Sequence, residues 1–306
     1  MRIAVMGSGG VGGYFGGRLA AAGQDVTFIA RGAHLDTLRQ RGLRIISALG
    51  DATIAPAQAT DDPAEVGPVD LVLFTVKLYD TEAAADAIRP LIGPDTGVVT
   101  FQNGISGTEV LARKLGGEHV LGGVAKIAAV VAEPGVVRNT GTFAELVFGE
   151  LDGRPSARVA ALAAGLEAAG VKHSVSDDMR REIWDKMVFL STFAGVTSLL
   201  RLPIGPIRSD PDTRRLLRDG LAEALAVARA ENVGLPEDVV DRILGLIDGL
   251  PYEGKSSMLH DLEAGRRLEV AWLSGTIARL GRERSVATPT HALIATALKL
   301  HADGRG

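Results

Sequence analysis

A cluster of glycines near the start of the chain has the spacing of a dinucleotide-binding loop. It follows the apolar run Ile3–Val5 and consists of Gly7, Ser8, Gly9, Gly10, Val11 and Gly12. In a G-x-G-x-x-G pattern the first glycine permits a tight turn, the second lets the backbone approach a pyrophosphate, and the third lets a helix pack on a strand. The pyrophosphate binds N–H groups at the helix N-terminus. The segment therefore predicts a strand, a phosphate-binding turn and a helix.

The end of the second predicted strand, Asp25–Ala30, distinguishes between the two nicotinamide dinucleotides. NAD-binding domains usually have an acidic residue there, which binds the ribose 2′-hydroxyl. This chain has Arg31 instead. A guanidinium offers a planar set of donors that suits a phosphate. The sequence therefore predicts NADP(H), the alternative being that Arg31 is an ordinary exposed loop charge.

Two polar residues follow predicted parallel strands. The apolar strand Asp70–Val76 ends at Lys77, and the strand Gly97–Phe101 is followed by Gln102 and Asn103. In open parallel sheets, ligands bind outside the carboxyl ends of the strands. Lys77 and Asn103 are therefore predicted to lie at the edge that carries the glycine loop, although either could be an incidental loop residue.

Lys186 is a charge on the apolar side of a predicted helix. In the segment Arg180–Gly195, a helical projection places Lys186 between Leu190 and Phe193. Burial of an ammonium lowers its pKa toward the range useful for proton transfer. The alternative, which the pattern alone favours, is a lysine whose stem covers the core while its head reaches water.

Glu269 is a second charge in an apolar stripe. The periodicity predicts one helix over Ser257–Leu280, with Glu269 in the centre of its apolar side and open space above Gly265. Buried carboxylates are rare unless they are paired or functional. A structural salt bridge with an arginine is an equal alternative.

These residues are predicted to lie in two domains. Strands alternate with helices up to about residue 175, which predicts an α/β, Rossmann-like, doubly wound sheet. Between Val124 and Phe148 the pattern predicts an antiparallel β extension of that sheet. From Asp177 onward strand signals largely stop. The predicted domains are residues 1–178, which bind NADP, and an all-helical C-terminal domain, residues 179–306, which binds substrate and carries the catalytic residues.

Composition excludes several classes of function. The 306 residues carry a formal net charge of −4, whereas proteins that bind nucleic acid usually carry an excess of basic residues. The chain contains no cysteine, so disulfides and thiol catalysis are excluded. The six histidines lack the spacing of a zinc site, and we predict no metal. No apolar run is expected to reach membrane-span length, and a strand beginning at residue 2 leaves no room for a signal peptide, so we expect a cytoplasmic protein. The helical domain could form a homodimer.

The chain resembles the ketopantoate reductase (2-dehydropantoate 2-reductase) family almost from end to end. The motifs that carry the resemblance are Gly7–Gly12, Arg31, Val76-Lys77, Gln102-Asn103-Gly104, Glu182–Lys186, Ser256-Ser257-Met258 and Glu269. The resemblance implies reduction of ketopantoate to pantoate with NADPH, in the pathway to pantothenate and coenzyme A.

The resemblance also implies roles for individual residues. Lys186 would be the general acid, and Glu269 would orient the substrate hydroxyl and touch the nicotinamide end of the cofactor. Ser257 would bind the substrate carboxylate. Lys77, Asn103 and the backbone of Ala128 would contact the cofactor, in addition to the glycine loop and Arg31.

The chain departs from the family pattern in the substrate pocket. The family has asparagines four and eight residues after the catalytic lysine, and another some ten residues later, where this chain has Leu190, Ala194 and Ile204. A more apolar pocket should bind a polar hydroxyl less well. A different, more apolar oxo acid or ketone is therefore an alternative substrate, and a non-catalytic NADP-sensing protein is a further alternative.

Overall fold

The computed structural model describes residues 1–305, which divide into two compact units. The first unit contains Met1–Gln102 and Ser106–Glu182, and the second contains Asn103–Ile105 and the chain from Ile183 onward. The sequence pattern placed the boundary after residue 178, whereas the division by contacts follows Glu182.

Ten strands of the first unit form one mixed sheet. They are β1 (Arg2–Met6), β2 (Asp25–Ile29), β3 (Leu43–Ile46), β4 (Ala52–Ile54), β5 (Gln58–Thr60), β6 (Leu71–Phe74), β7 (Gly97–Thr100), β8 (Val120–Glu133), β9 (Val136–Glu150) and β10 (Lys172–Val175). Six of them are parallel neighbours in the order β5-β2-β1-β6-β7-β8. This is the strand order of the doubly wound dinucleotide-binding sheet, so the predicted Rossmann-like fold is confirmed.

The long strands β8 and β9 extend this sheet, as predicted. They pair antiparallel over most of their length, with an irregularity in register between Ile127 and Ala129. Beyond β9 the sheet continues through β3, which is parallel to β9, and β4, which is antiparallel to β3. β10 also pairs with β9. The β extension thus adds strands on the far side of β8.

Helices cover both faces of the sheet. They are α1 (Gly10–Ala21), α2 (Gly32–Arg41), α3 (Thr81–Ala87), α4 (Gly107–Leu115) and α5 (Ala157–Ala168). One apolar cluster contains Phe15 of α1, Leu38 of α2 and Leu162 of α5. A separate cluster contains Ala84 of α3 and Leu111 of α4. Because the strands contribute to both clusters, the central strands are buried on both faces.

The regular secondary structure of the second unit is helical throughout its described residues. Its helices are α6 (Met179–Leu200, whose first turn belongs to the first unit), α7 (Ile204–Ser209), α8 (Pro211–Ala230), α9 (Val239–Asp248), α10 (Ser257–Glu263), α11 (Ser274–Glu283) and α12 (Pro289–Leu298). Their apolar side chains share one core, with Val188, Leu221 and Ile277 among the fully buried members. The predicted all-α C-terminal region is confirmed.

The prediction of one helix over Ser257–Leu280 is wrong. α10 ends at Glu263 and α11 begins at Ser274, so Glu269 lies in the connecting segment. The helix stops because Gly265 adopts a left-handed conformation with φ of +67°. The N–H of Arg266 donates to the carbonyl of Asp261 (2.7 Å) and that of Gly265 to the carbonyl of Leu262 (3.1 Å), which are the hydrogen bonds of a Schellman C-cap.

Helix α6 is more apolar than the sequence analysis expected. By length and composition alone, its 22 residues could cross a membrane. The expectation that no segment reaches that length is therefore wrong, because the charges of α6 are concentrated in its first two turns. Of the most apolar stretch, 61% is buried inside the structure, which is typical of a core helix in a folded domain.

His291 is a wholly buried titratable group in the second unit. Its ring lies on α12, where Nε2 donates to the carbonyl of Gly220 (3.0 Å). The carboxylate of Glu223 accepts from the backbone N–H groups of Thr290 (2.9 Å) and His291 (3.0 Å). Burial lowers the pKa of His291 below its ordinary value, so the folded protein holds this imidazole in its neutral form.

We predict that this burial makes the second unit acid-sensitive. The unfolded chain takes up a proton at His291 near the ordinary pKa of about 6.5, whereas the folded chain does not. The free energy of unfolding is therefore highest above that pH. It decreases as the pH falls below about 6.5, by up to about 1.4 kcal/mol per pH unit. Urea unfolding between pH 7.5 and 5.5 measures the effect. His291→Gln should flatten this pH dependence, whereas His260→Gln, at an exposed histidine of the same unit, should not. Equal slopes in the two variants would contradict the assignment.

Candidate functional site

The glycine loop joins β1 to α1 through a conformation that requires glycine. Gly7 has φ of +96°, in the left-handed region. A Cβ atom placed on Gly7 would lie 2.8 Å from the backbone nitrogen of Val76, which is shorter than the contact distances of real Cβ atoms. The first glycine of the motif therefore serves the tight turn, as the pattern predicted.

The N-terminus of α1 is open to an anion. Gly9 is the N-cap residue, no side chain caps the helix, and the first turn contains no acidic residue. A Cβ atom on Gly9 would meet nothing within 4 Å, so there is free space over this position. Unpaired N–H groups and the helix dipole favour negative charge there. These residues fit the pyrophosphate of a dinucleotide.

The remaining glycines of the motif permit close packing around that N-terminus. A Cβ atom on Gly12 would overlap the carbonyl oxygen of Gly7 and the hydroxyl of Thr75. One on Gly10 would overlap the carbonyl of Ala129 in β8. α1 is thus held between the end of β6 and the irregular part of β8. The structure places Ala128 in this irregular part, exposed, with its carbonyl accepting from the hydroxyl of Thr140 (2.9 Å).

Thr75 connects the glycine loop to the segment that carries Lys77. Its hydroxyl lies 2.7 Å from the carbonyl of Gly7 and 3.2 Å from that of Met6, and its N–H donates to Met6 (2.9 Å). Thr75 was not predicted to belong to the site, because nothing in the local sequence distinguishes it from any other threonine at the end of a strand.

Gln102 fixes the other side of the Lys77 segment. Its amide nitrogen donates to the carbonyl of Val76 (3.0 Å) and to the hydroxyl of Thr81 (2.8 Å), while its amide oxygen accepts from Thr100 (3.1 Å). Lys77 itself is half-buried and begins the turn that leads into α3. The side chain of Gln102 therefore joins the ends of β6 and β7 by hydrogen bonds, which fix the backbone position of Lys77.

Arg31 lies where the cofactor discriminator was predicted. It is separated from β2 by Ala30 alone, has extended backbone as the N-cap of α2, and its side chain is exposed. The neighbouring glycine loop is tied to this strand through Ser8, whose hydroxyl donates to the carbonyl of Ile29 (3.1 Å). One turn into α2, His34 accepts a hydrogen bond from the N–H of Gly135 (3.1 Å), and burial lowers its pKa. The guanidinium of Arg31 is thus accessible on an anchored helix terminus.

Lys186 and Glu269 both belong to the second unit but differ in burial and in the element that carries them. Lys186 is half-buried in α6, next to the buried side chains of Trp184 and Met187. Glu269 is only 5% exposed and is flanked by Leu268 and Val270, which are buried as well. Its backbone carbonyl accepts from the N–H of Trp272 (3.0 Å). The predicted burial of Glu269 is correct, although the residue is not on a helix.

The two serines at the start of α10 differ in their accessibility. Ser256 is 2% exposed, and its hydroxyl caps α10 by accepting from the N–H of Leu259 (3.0 Å) and pairs with the hydroxyl of Thr197 (2.8 Å). Ser257 is the first residue of α10 and is exposed. Of the two hydroxyls, only that of Ser257 is available to a ligand.

Asn103 lies in the bend after β7 and is half-buried. By its contacts it is grouped with the second unit, as is Ile105, whose side chain packs on the core of that unit. Among residues 1–305, no group of three or more acidic or histidine side chains is arranged to hold a metal ion.

Comparison with known proteins identifies the family. Residues 3–153 match the family described as ketopantoate reductase PanE/ApbA, and residues 178–302 match its C-terminal domain. The 2-dehydropantoate 2-reductase of Mesorhizobium japonicum is 35% identical over 95% of this chain and 94% of its own length.

Two solved structures are similar over nearly the whole chain. One is the 2-dehydropantoate 2-reductase of Geobacter metallireducens GS-15, with a TM-score of 0.93 and 34% identity, covering 98% of this chain and 99% of that one. The other is a PanE/ApbA family ketopantoate reductase from Ralstonia eutropha JMP134, with a TM-score of 0.91 and 35% identity, covering 99% of this chain and 98% of that one. The chain therefore belongs to the ketopantoate reductase family, whose members are NADP-dependent oxidoreductases acting on CH–OH groups.

Proposed function

We propose that the chain reduces the keto group of a 2-oxo acid with NADPH, and that ketopantoate, which becomes pantoate, is among its substrates. The observation that carries the proposal is Lys186, a half-buried lysine that is the last charged residue of α6, followed by an uncharged stretch to the end of the helix, in a member of the ketopantoate reductase family. The relatives named 2-dehydropantoate 2-reductase, at 33–35% identity over most of their length, support the same substrate.

Lys186 acts as the general acid in this reaction. The reduced nicotinamide supplies the hydride. As the keto carbon gains that hydride, negative charge develops on its oxygen, and the ammonium of Lys186 stabilises this charge and donates the proton. The 2-oxo acid thus becomes a 2-hydroxy acid while NADPH becomes NADP⁺. The partial burial of Lys186 strengthens its interaction with the developing charge, since water screens it less.

The remaining side chains bind and orient the reactants. The accessible hydroxyl of Ser257 would hydrogen-bond the substrate carboxylate, and the carboxylate of Glu269 would orient the substrate hydroxyl and contact the nicotinamide. Gly7–Gly12 hold the pyrophosphate at the N-terminus of α1, and Arg31 binds the 2′-phosphate. Lys77, Asn103 and the backbone of Ala128 complete the cofactor site.

The proposed location and partners of the enzyme rest on the composition of the chain. We expect a cytoplasmic protein whose partner is a small-molecule oxo acid, without nucleic acid or membrane partners. Exposed leucines of the second unit, such as Leu246 and Leu293, are consistent with a homodimer. Sedimentation equilibrium at micromolar concentration would detect the dimer, and a monomer mass would contradict it.

Replacement of the catalytic lysine tests the mechanism. We expect Lys186→Ala to lower kcat with ketopantoate by about 10²- to 10⁴-fold, the usual contribution of a general acid. Lys186→Arg, which keeps the charge but gives up its proton far less readily, should also be impaired. Lys299→Ala, at an exposed lysine of the same unit, is the control and should retain full activity.

Two outcomes of this experiment would contradict parts of the proposal. Normal turnover by Lys186→Ala would remove Lys186 from the mechanism. If the wild-type protein bound NADPH but turned over no 2-oxo acid, a non-catalytic NADP-sensing function would be favoured instead.

Replacement of Arg31 tests the choice of cofactor. A charge-assisted hydrogen bond contributes about 1.5–3 kcal/mol, so Arg31→Ala should raise the KM or Kd for NADPH roughly ten- to a hundredfold. Binding of NADH should change little, because NADH has no 2′-phosphate. Arg41→Ala, at an exposed arginine in the last turn of the same helix, controls for general charge effects. Equal losses for the two cofactors would refute the phosphate role of Arg31.

A further inference from the structure

The accessible surface of α6 beyond Lys186 is entirely hydrocarbon. From Lys186 to Ser198, the half-buried side chains are those of Lys186, Phe189 and Leu190, and every other residue of this stretch is buried. On a helix, residues three and four positions apart are neighbours on one face. A keto group bound at the ammonium of Lys186 would therefore have the side chains of Phe189 and Leu190 within one helical turn.

No hydroxyl of α6 can compensate for this apolar surface. Its four hydroxyl side chains, those of Ser191, Thr192, Thr197 and Ser198, are each 0% exposed. Thr197 is further engaged by the carbonyl of Phe193 (2.7 Å) and by Ser256. These groups belong to the interior and cannot reach a bound molecule.

The apolar surface is also held in place. The rings of Phe189 and Phe193 are stacked, with centroids 5.2 Å apart and planes at 14°. Phe193 is 7% exposed, so the accessible ring of Phe189 rests on a buried one. Of the three positions where the family pattern has asparagine, Ala194 and Ile204 are buried, and only Leu190 is accessible.

We infer that the substrate pocket at Lys186 selects 2-oxo acids with a hydrocarbon chain over those that carry a hydroxyl, and that Leu190 sets this preference. The inference rests on the proposed 2-oxo acid reductase function. A hydroxyl buried against Phe189 and Leu190 loses its hydrogen bonds to water and receives none from α6. A branched aliphatic 2-oxo acid loses nothing in the same place and gains apolar contact.

A matched pair of substrates tests this preference. Ketopantoate and 3,3-dimethyl-2-oxobutanoate share one carbon skeleton and differ only by the terminal hydroxyl of ketopantoate. With NADPH, we expect kcat/KM to be about ten- to a hundredfold higher for 3,3-dimethyl-2-oxobutanoate than for ketopantoate. This is the usual range for an apolar pocket that receives one hydroxyl. A ratio at or below one would overturn the inference.

Variants of Leu190 identify the residue responsible. Leu190→Asn supplies an amide of similar size, so the ratio should shift toward ketopantoate by about tenfold or more, while Leu190→Met should keep the wild-type ratio. Leu151→Asn, at a leucine of the first unit that is 43% exposed, makes the same chemical change away from α6 and should leave the ratio unaltered. If Leu190→Asn kept the wild-type ratio as well, Leu190 would not be the determinant.

The proposed function and this inference fail in different ways. Absence of turnover with both acids, in a protein that binds NADPH, would overturn the reductase function and the inference with it. Turnover of both acids with a clear preference for ketopantoate would leave the reductase function intact and overturn only the apolar selectivity.

Discussion

The close approach of α1 to the strands around it is the constraint on which the proposed cofactor site depends. A side chain at Gly10 or Gly12 would overlap backbone atoms of Ala129 or Gly7, and one at Gly7 would press on Val76. Because three backbone segments meet at van der Waals distance, the uncapped N-terminus of α1 is fixed relative to the ends of β1 and β6. An anion site made of backbone N–H groups needs that fixation, since it has no side chains that could adjust.

Features encoded by local patterns could be predicted from the sequence. Apolar runs such as Leu71–Phe74 gave the buried strands, the glycine spacing gave the turn, and the loss of strand signals after residue 177 gave the helical C-terminal region. The burial of Glu269 was also predicted from apolar neighbours. The helix assigned to it was wrong, because periodicity cannot detect a Schellman turn in which one left-handed glycine, Gly265, ends the helix.

Contacts between residues far apart in the sequence could not be predicted. The hydroxyl of Thr75 contacts Gly7, 68 positions away, and the amide of Gln102 contacts Val76, 26 positions away. Neither residue is unusual in its own segment, and only the strand order β1-β6-β7 brings the partners together. The irregular pairing at Ala128 is similar, since its position depends on the register between two strands of 14 and 15 residues.

Helix α6 shows how packing of the second unit and chemistry at Lys186 are linked. A helix surrounded by others must be apolar on nearly all sides, and this is why α6 approaches the composition of a membrane span. Its hydroxyls are buried, so from Lys186 to Ser198 the accessible side chains are one lysine and two hydrocarbon groups, those of Phe189 and Leu190. In the proposed mechanism, these apolar neighbours would reduce the screening of the ammonium by water and strengthen its interaction with a developing alkoxide, but they offer no hydrogen bond to a substrate hydroxyl. In the proposed mechanism, the packing that would make Lys186 effective as an acid would therefore also restrict which oxo acids suit it.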